Sequence, residues 1–398
     1  MQLSATATGH APNAGSGPRP GPGGALLAAA LALPGVAPPA AAYDPPDGHT
    51  VGVRHLDYRD AQPGLSRVRV SSPSVWYTGP VGEDWSIAAS GGVDAVSGAS
   101  PRWHTAVSGA SSLRDRRVYG DLRLTRHADR MAWTVGIAQS DENDYRSRAA
   151  SAGVRIRSED GNTEWSGAAA FARDRIDGAD PSPIAGDRRT LELSAGVTRV
   201  ASTRDIVALQ LGLARADGTL SDPYKYPDRR PDRRDQVSVL LRWNHHIADG
   251  PTALAGSTLR TQYRHYRDSW GVRAHTLGVE WVRPLAHGWT FAPLARLHSQ
   301  SAARFYFDPV YDPVLGAPFP PGFASSPDRA VSPDQRLSAF GALAAGLRVA
   351  WRIDEAWTVD MRAEWYRQQG TWRIGGEGSP GLARLEARIL QFGASRRF

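Results

Sequence analysis

The sequence predicts an all-β protein: a transmembrane antiparallel β-barrel of about 16 strands with short periplasmic turns and long extracellular loops. Three observations predict it. Period-2 alternation of apolar and polar residues recurs from Thr50 to the end of the chain, which is the signature of strands with two different faces. The gaps between the alternating stretches themselves alternate between tight and long. The last stretch, 382–398, alternates and ends on the aromatic Phe398, as strands that close outer-membrane barrels do. Arg396 is the exception in that strand, standing on the apolar parity shared by Phe398, Ala394, Phe392 and Leu390. If it faces lipid, it must sit at headgroup level with its guanidinium turned to water.

The chain of 398 residues opens with a secretory signal: Arg19, a small-residue apolar stretch over 24–33, and an A-x-A site at Ala40, Ala41 and Ala42 before Tyr43. The expected division is therefore a signal peptide over 1–42 and a single barrel domain over 43–398. A mean hydropathy of −0.40 and the lack of a long unbroken apolar run argue against helical spans. Both are compatible with strands that dilute each lipid-facing residue with a lumenal one. Cysteine is absent, which excludes disulfides, thiolate chemistry and a lipidated cysteine. The net charge of +7 is carried by arginine, with Lys225 the only lysine. In an exported chain, forked arginines suit lipopolysaccharide phosphates and lumenal ion pairs better than nucleic acid. The expected partners are outer-membrane lipids and lipopolysaccharide together with the barrel assembly machinery.

In chain order the alternation places strands at 50–58, 66–79, 84–96, 115–127, 131–142, 146–158, 163–175, 188–201, 205–216, 234–246, 253–267, 271–284, 288–302, 335–352, 356–370 and 382–398. Tight connections at 80–83, 128–130, 159–162, 202–204, 247–252, 285–287 and 353–355 follow every second strand and are read as periplasmic turns. The long gaps 97–114, 176–187, 217–233, 303–334 and 371–381 fall between them, as surface loops should. Val207, Leu209, Leu211 and Leu213 share one face, and Val237, Val239, Leu241 and Trp243 another; these must meet lipid. Trp85, Trp165, Trp289 and Trp357 open strands after tight turns, and Trp281 and Trp351 close strands before them. Together they read as a periplasmic aromatic girdle. Core tryptophans of a soluble β-sandwich are the rival reading.

The opposite parity collects the expected lumen lining: Asp121, Arg123, Arg155, Arg242, Arg260, Arg264, Glu280, Arg296, His298, Gln300, Arg348, Asp360, Arg362 and Glu364. An arginine facing mid-depth lipid costs about 2–4 kcal/mol, so confinement to one parity is a physical requirement. A barrel of this strand number is wide enough for an aqueous channel, and basic linings favour anions. The leading function is a porin-like channel for small polar or anionic solutes. The alternative is a filled barrel in which arginines pair with Asp360 and Glu364 across strands, a scaffold for a periplasmic or surface partner in secretion or electron transfer.

The connection 303–334 is the longest and rich in aromatics and proline, with Phe305, Tyr306, Phe307, Tyr311, Phe319 and Phe323. It is read either as a lid or constriction or as an outer binding surface. Asp308, Asp312, Asp328 and Asp334 suit a hard cation such as Ca²⁺ by type but lack a recognisable spacing. No metal or cofactor is therefore assigned. A rim hydrolase ranks third: His104 with Ser108, His245 with His246, and His298 with Ser299 either point to opposite faces or lack a third group, and no catalytic residue is assigned.

Four segments resemble an uncharacterised family of bacterial outer-membrane barrels, catalogued only as a domain of unknown function. They are Val93-Asp94-Ala95-Val96-Ser97-Gly98-Ala99-Ser100-Pro101; Tyr266-Arg267-Asp268-Ser269-Trp270-Gly271 running into Leu277-Gly278-Val279-Glu280-Trp281; Ser299-Gln300-Ser301-Ala302-Ala303-Arg304-Phe305-Tyr306; and Asp334-Gln335-Arg336-Leu337-Ser338-Ala339-Phe340-Gly341. The resemblance spans roughly Val93 to Phe398 and implies fold and location, with no activity to carry over. It draws notice to Asp94, Asp268, Trp270, Gln300 and Tyr306, at strand ends on the loop side. Asp94, Asp268, Trp270 and Tyr306 are thus expected at the extracellular mouth, with turn closure the competing role for Asp-Ser-Trp-Gly.

Overall fold

The computed structural model describes residues 45–101, 110–177, 184–223, 225, 227–251, 254–309 and 328–398, with backbone alone at 98–101 and 110–115. The residues read as a signal peptide, 1–42, and His104, Ser108, Tyr311, Asp312, Phe319 and Phe323 lie outside the described residues. Sixteen antiparallel strands close into one barrel. They are β1 Thr50–Gln62, β2 Leu65–Val81, β3 Trp85–Pro101, β4 Ala110–Ala128, β5 Met131–Asp141, β6 Tyr145–Arg157, β7 Thr163–Ile176, β8 Gly186–Val200, β9 Asp205–Gly218, β10 Arg233–Ile247, β11 Ser257–Asp268, β12 Arg273–Pro284, β13 Trp289–Gln300, β14 Phe340–Arg352, β15 Trp357–Gln369 and β16 Leu385–Arg397. Each strand pairs with its sequence neighbours. The circle closes where β1 pairs with β16, from Thr50 opposite Arg397 to Ala61 opposite Glu386. Beyond that register His49 and Phe398 exchange two backbone hydrogen bonds of 2.9 Å, and their rings stack at 5.8 Å.

Every strand read from the alternation is present, and the differences sit at strand ends. β1 runs on to Gln62, so the first hairpin turns tightly at Pro63-Gly64. β14 begins at Phe340, because 335–337 forms a 3₁₀ turn whose Arg336 N–H donates to the Asp334 carboxylate at 3.0 Å. β11 begins at Ser257, because 254–256 turn first, with the Gly256 N–H donating to the Ile247 carbonyl at 2.7 Å.

The apolar parity faces out. Leu209, Leu211 and Leu213 on β9, Leu241 on β10, Leu191 and Leu193 on β8 and Val135 and Ile137 on β5 are all exposed. A continuous apolar exterior around a closed barrel is the surface that hydrocarbon covers. At the end carrying the short connections, Trp85, Trp133, Trp165, Trp243, Trp289 and Trp357 point outward and are exposed, and Trp351 stacks on Trp289 at 5.1 Å. Arg396 lies in this row with its guanidinium 5.6 Å from the Trp357 ring. Eight residues along each strand, roughly 20 Å up the barrel at about 3.3 Å per residue and about 40° tilt, the exterior turns charged. Outward ion pairs at this height include Arg69 with Asp57 at 3.0 Å, Arg146 with Asp141 at 2.8 Å, Arg173 with Asp187 at 3.4 Å and Arg215 with Asp235 at 2.6 Å. The two ends are called below the turn end and the loop end.

Candidate functional site: a wet lumen beneath a capped mouth

The strand registers turn all fourteen of the sequence-picked lumenal residues to the inner face. Inside a closed wall, exposure of an inward side chain means that solvent reaches the interior. Arg123 is 59% exposed, Arg260 48% and Arg296 41%; Ser151, Ser166, Glu192 and Gln262 are inward and exposed as well. The lumen is therefore wet over the middle of the barrel and toward its turn end.

The inner wall is asymmetric in charge. On β4 to β7 the pairs balance: Arg123 with Asp121 at 3.2 Å and Arg155 with Glu164 at 3.9 Å. From β10 to β15 arginine is in excess. Glu280 is shared by Arg260 at 3.2 Å and Arg348 at 3.5 Å, and Glu364 by Arg296 at 3.5 Å and by Arg362. Arg242 and Arg264 form no ion pair among the described residues; Arg264 lies 5.8 Å from the Tyr266 ring. Asp360 forms none either and lies against Gly393, where an added Cβ would meet its carboxylate at 2.5 Å. Pairing across neighbouring strands is the expectation for Arg348 and Arg362 with Asp360 or Glu364; instead Arg362 meets Glu364 two residues along its own strand. Arg296 on β13 supplies the other partner of Glu364, and Arg348 reaches back to Glu280 on β12.

His298 and Gln300 sit higher. His298 meets the Thr276 hydroxyl at 2.8 Å, while neighbouring Ser299 faces the other way and donates to the Ile374 carbonyl at 3.3 Å. These two residues point to opposite faces and make no catalytic pair. His245 is outward at the turn end, 2.8 Å from Asp205. Gln300 reaches the loop-end connections, donating its amide to the Arg336 and Ser338 carbonyls at 3.0 and 2.8 Å.

Above Gln300 the lumen is occupied. The β13–β14 connection (301–339), itself closed by a bridge between Tyr306 and Ser332, pairs with the β9–β10 connection (219–232) through Val331 and Arg229. An ion network joins them. Arg230 grips Asp228 with two bonds of 2.8 and 2.9 Å and reaches Asp334 at 2.8 Å. Arg336 binds Asp334 at 2.7 Å and also Asp222, and Ser332 donates to Asp228. The side chains of Asp228 and Asp334 are 0% exposed. Burial opposes ionisation of Asp334, but the Arg336 and Arg230 guanidiniums together hold it well below the usual carboxylate range. Burial pushes Asp228 up, with Arg230 pulling the other way. Lys225 is also buried, and its charge is felt with those of Asp334, Asp222, Arg336 and Arg67. Since Arg67 belongs to β2, across the barrel from β9 and β10, these connections span the mouth. Asp334 is thus committed to arginine, and Asp308 accepts from the Tyr306 hydroxyl at 3.0 Å and the Gly381 N–H at 3.2 Å, an arrangement that leaves no open carboxylate cradle for Ca²⁺ between them.

Asp94, Asp268, Trp270 and Tyr306 lie at the loop end, where they brace the mouth. Asp94 faces Arg117 at 3.4 Å. The Asp268 side chain is fully buried, accepting from the Trp270 and Val272 N–H groups at 3.0 and 2.9 Å, from the Tyr266 hydroxyl at 2.9 Å and from Arg234 at 2.7 Å. It closes a turn whose Gly271 has φ +97°, conformation that glycine adopts freely. Trp270 is sandwiched between the Arg234 guanidinium at 4.4 Å and the Phe305 ring at 5.2 Å. Val272, Ala303 and Leu337 complete the cluster, with Tyr306 packed against it. The last three segments that carry the family resemblance therefore converge on one braced mouth. Asp222, Asp228, Arg230 and Arg234 escaped the sequence reading, and Arg336 entered it only as part of a resemblance segment. For Asp228, Arg230 and Arg234 the signal was the dense Asp/Arg run at 228–235, which reads as a solvated loop.

The chain matches the model of a protein family described as "Protein of unknown function (DUF3570)" over residues 105–186 and 180–389. The chain belongs to this family. No curated protein matches it. Among solved structures it is similar to a bacterial polysaccharide outer membrane secretin, at 10% identity and a TM-score of 0.48 over 87% of this chain and 98% of the other. Similar too are Pseudomonas aeruginosa OccK2 (OpdF) in complex with glucuronate, at 11% identity and TM-score 0.43 over 88% and 98%, and the CymD monoaromatic hydrocarbon channel, at 10% and 0.40 over 88% and 89%. At this level of likeness none of them informs the function of this member of the DUF3570 family.

Proposed function

We propose that this protein is an outer-membrane channel of a Gram-negative bacterium for small anionic solutes, with its turn end in the periplasm and its loop end outside. The observation that carries this reading is the set of inward arginines on β10 to β15 that outnumber their acids and remain exposed inside a closed wall. A small anion entering there meets forked donors already oriented by Glu280 and Glu364. The mouth network supports a gated rather than a permanently open pore. The reading is tested on the refolded barrel in a planar bilayer, with a salt gradient to read selectivity. Anion-selective conductance is expected, increasing when the cap is loosened. No conductance from either the native or the loosened barrel would refute it.

The scaffold reading is favoured by one observation, the desolvated ion network at the mouth, which holds the loop end as a rigid surface. Such a surface, facing outward, suits docking of a surface protein better than permeation. Cross-linking in native outer membranes that recovers a stoichiometric partner, together with a silent bilayer, would select it.

A further inference from the structure

Many outward arginines of the loop-end ring are paired with acids and others, such as Arg116, Arg148 and Arg189, are not, but on one hairpin two arginines without an ion pair among the described residues face each other. On the β11–β12 hairpin Arg267 stands directly opposite Arg273, and His265 opposite His275. The two histidine rings lie 4.8 Å apart, and the Tyr263 hydroxyl meets His275 Nδ1 at 2.7 Å. All five side chains share the outward parity that exposes Leu277 and Val279 below them. Like charges directly opposite on a sheet are unfavourable, and no acid relieves these. Two carboxylates close by in the sheet are committed elsewhere: Asp268 points inward to Arg234 and Asp235 is held by Arg215 at 2.6 Å. Among the described residues neither Arg267 nor Arg273 has an ion-pair partner, whereas Arg215, Arg233, Arg173 and Arg146 each have one. His265 Nδ1 is buried without a hydrogen-bond partner.

We infer that this ladder is a binding site for the phosphorylated headgroup of a lipid in the leaflet at the loop end. The height fits, since the ladder sits where the apolar exterior ends. The chemistry fits as well: two guanidinium forks can each take two oxygens of a phosphate, and an anion between them removes the repulsion that the fold leaves uncompensated. Leu277 and Val279 offer apolar surface for the acyl chains below. The inference rests on the loop end facing the outer leaflet. It is independent of whether the lumen conducts.

The test uses the full refolded barrel in neutral detergent, with diphosphoryl lipid A as the probe and phosphatidylcholine as the control. Arg267→Gln/Arg273→Gln should weaken lipid A binding about tenfold or more, the loss expected when charge-assisted forks are removed. It should leave phosphatidylcholine uptake unchanged. Arg215→Gln/Asp235→Asn, which strips an already neutral pair from the same ring, should bind as the native barrel does. Arg267→Lys/Arg273→Lys keeps the charge without the fork and serves if the glutamine pair fails to fold; it too should bind more weakly. Native-strength binding by whichever ladder variant folds, or an equal loss in the Arg215/Asp235 variant, would overturn the assignment.

Discussion

The lumen has two halves built from the same residue types and put to opposite use. Toward the turn end, Arg260 and Arg348 share the half-buried Glu280, and all three are reached by water. At the loop end, Arg230 and Arg336 share Asp222, Asp228 and Asp334 with almost no exposure of the acids. Solvent decides what each set does. In the wet half screening makes each pair worth little, so the arginines remain available to a passing ion. In the dry half each charge depends on its partners, because loss of one strands the other without water. The first arrangement suits selection and the second suits holding a segment in place.

The largest effect is expected where that contrast is sharpest. Asp334→Ala removes the buried acid that Arg230 and Arg336 share, leaving Arg230 to Asp228 and Arg336 to Asp222, and should cost the cap about 3 kcal/mol. The expected result is rapid proteolysis within 328–339 and a rise in conductance, with the barrel wall intact by far-ultraviolet circular dichroism. Unchanged protection would mean that the two halves do not differ in the way described. Acid supplies a second approach to the same bond. The depressed Asp334 contributes stability that is present above its ordinary value of 3.8 and lost as pH falls through its lower folded value. Asp228, pushed up by burial, works in the other direction and adds stability as pH falls. The cap should therefore hold from pH 7 down to about 4, and release at pH 5 in a conductance titration would contradict this.

Trp270→Ala comes next, removing a buried ring between Arg234 and Phe305 at about 3 kcal/mol. It should loosen the mouth while leaving selectivity, which belongs to the wet half, as it was. In that half Glu280→Gln should change stability by about 1 kcal/mol or less, yet raise anion preference in a reversal-potential measurement by freeing Arg260 and Arg348. The smallest effect is expected on the outer wall. Arg396→Leu gives up a cation–π contact with Trp357 worth about 0.5–1 kcal/mol and gains apolar surface at the interface. Insertion into vesicles should be unimpaired, and a failure to assemble would show that Arg396 does more than sit beside Trp357.

Much of the barrel was legible in the alternation because lipid imposes a local rule: every second residue must be apolar wherever the wall meets hydrocarbon. That rule located all the strands, turned Leu209 and Leu213 outward and Arg260 and Arg296 inward, and separated tight turns from loops. It overran at 335–337, which form a 3₁₀ turn, and at 254–256, which turn before β11 begins. The rule says nothing about pairing between distant strands, so the sharing of Glu280 by β11 and β14 was not visible.

The sequence by itself thus determined the class of object, its strand number, and which side chains meet lipid and which meet the interior, since each follows from neighbours two residues apart. Only the tertiary structure decided what the mouth does. Arg230 meets Asp334, and Asp222 meets Arg336, across more than a hundred residues of chain, and closure of β1 onto β16 brings Arg67 to the far side of the same network. The physical reason is that these contacts are made by loops folded into an enclosed space, and that space exists only once the wall has closed.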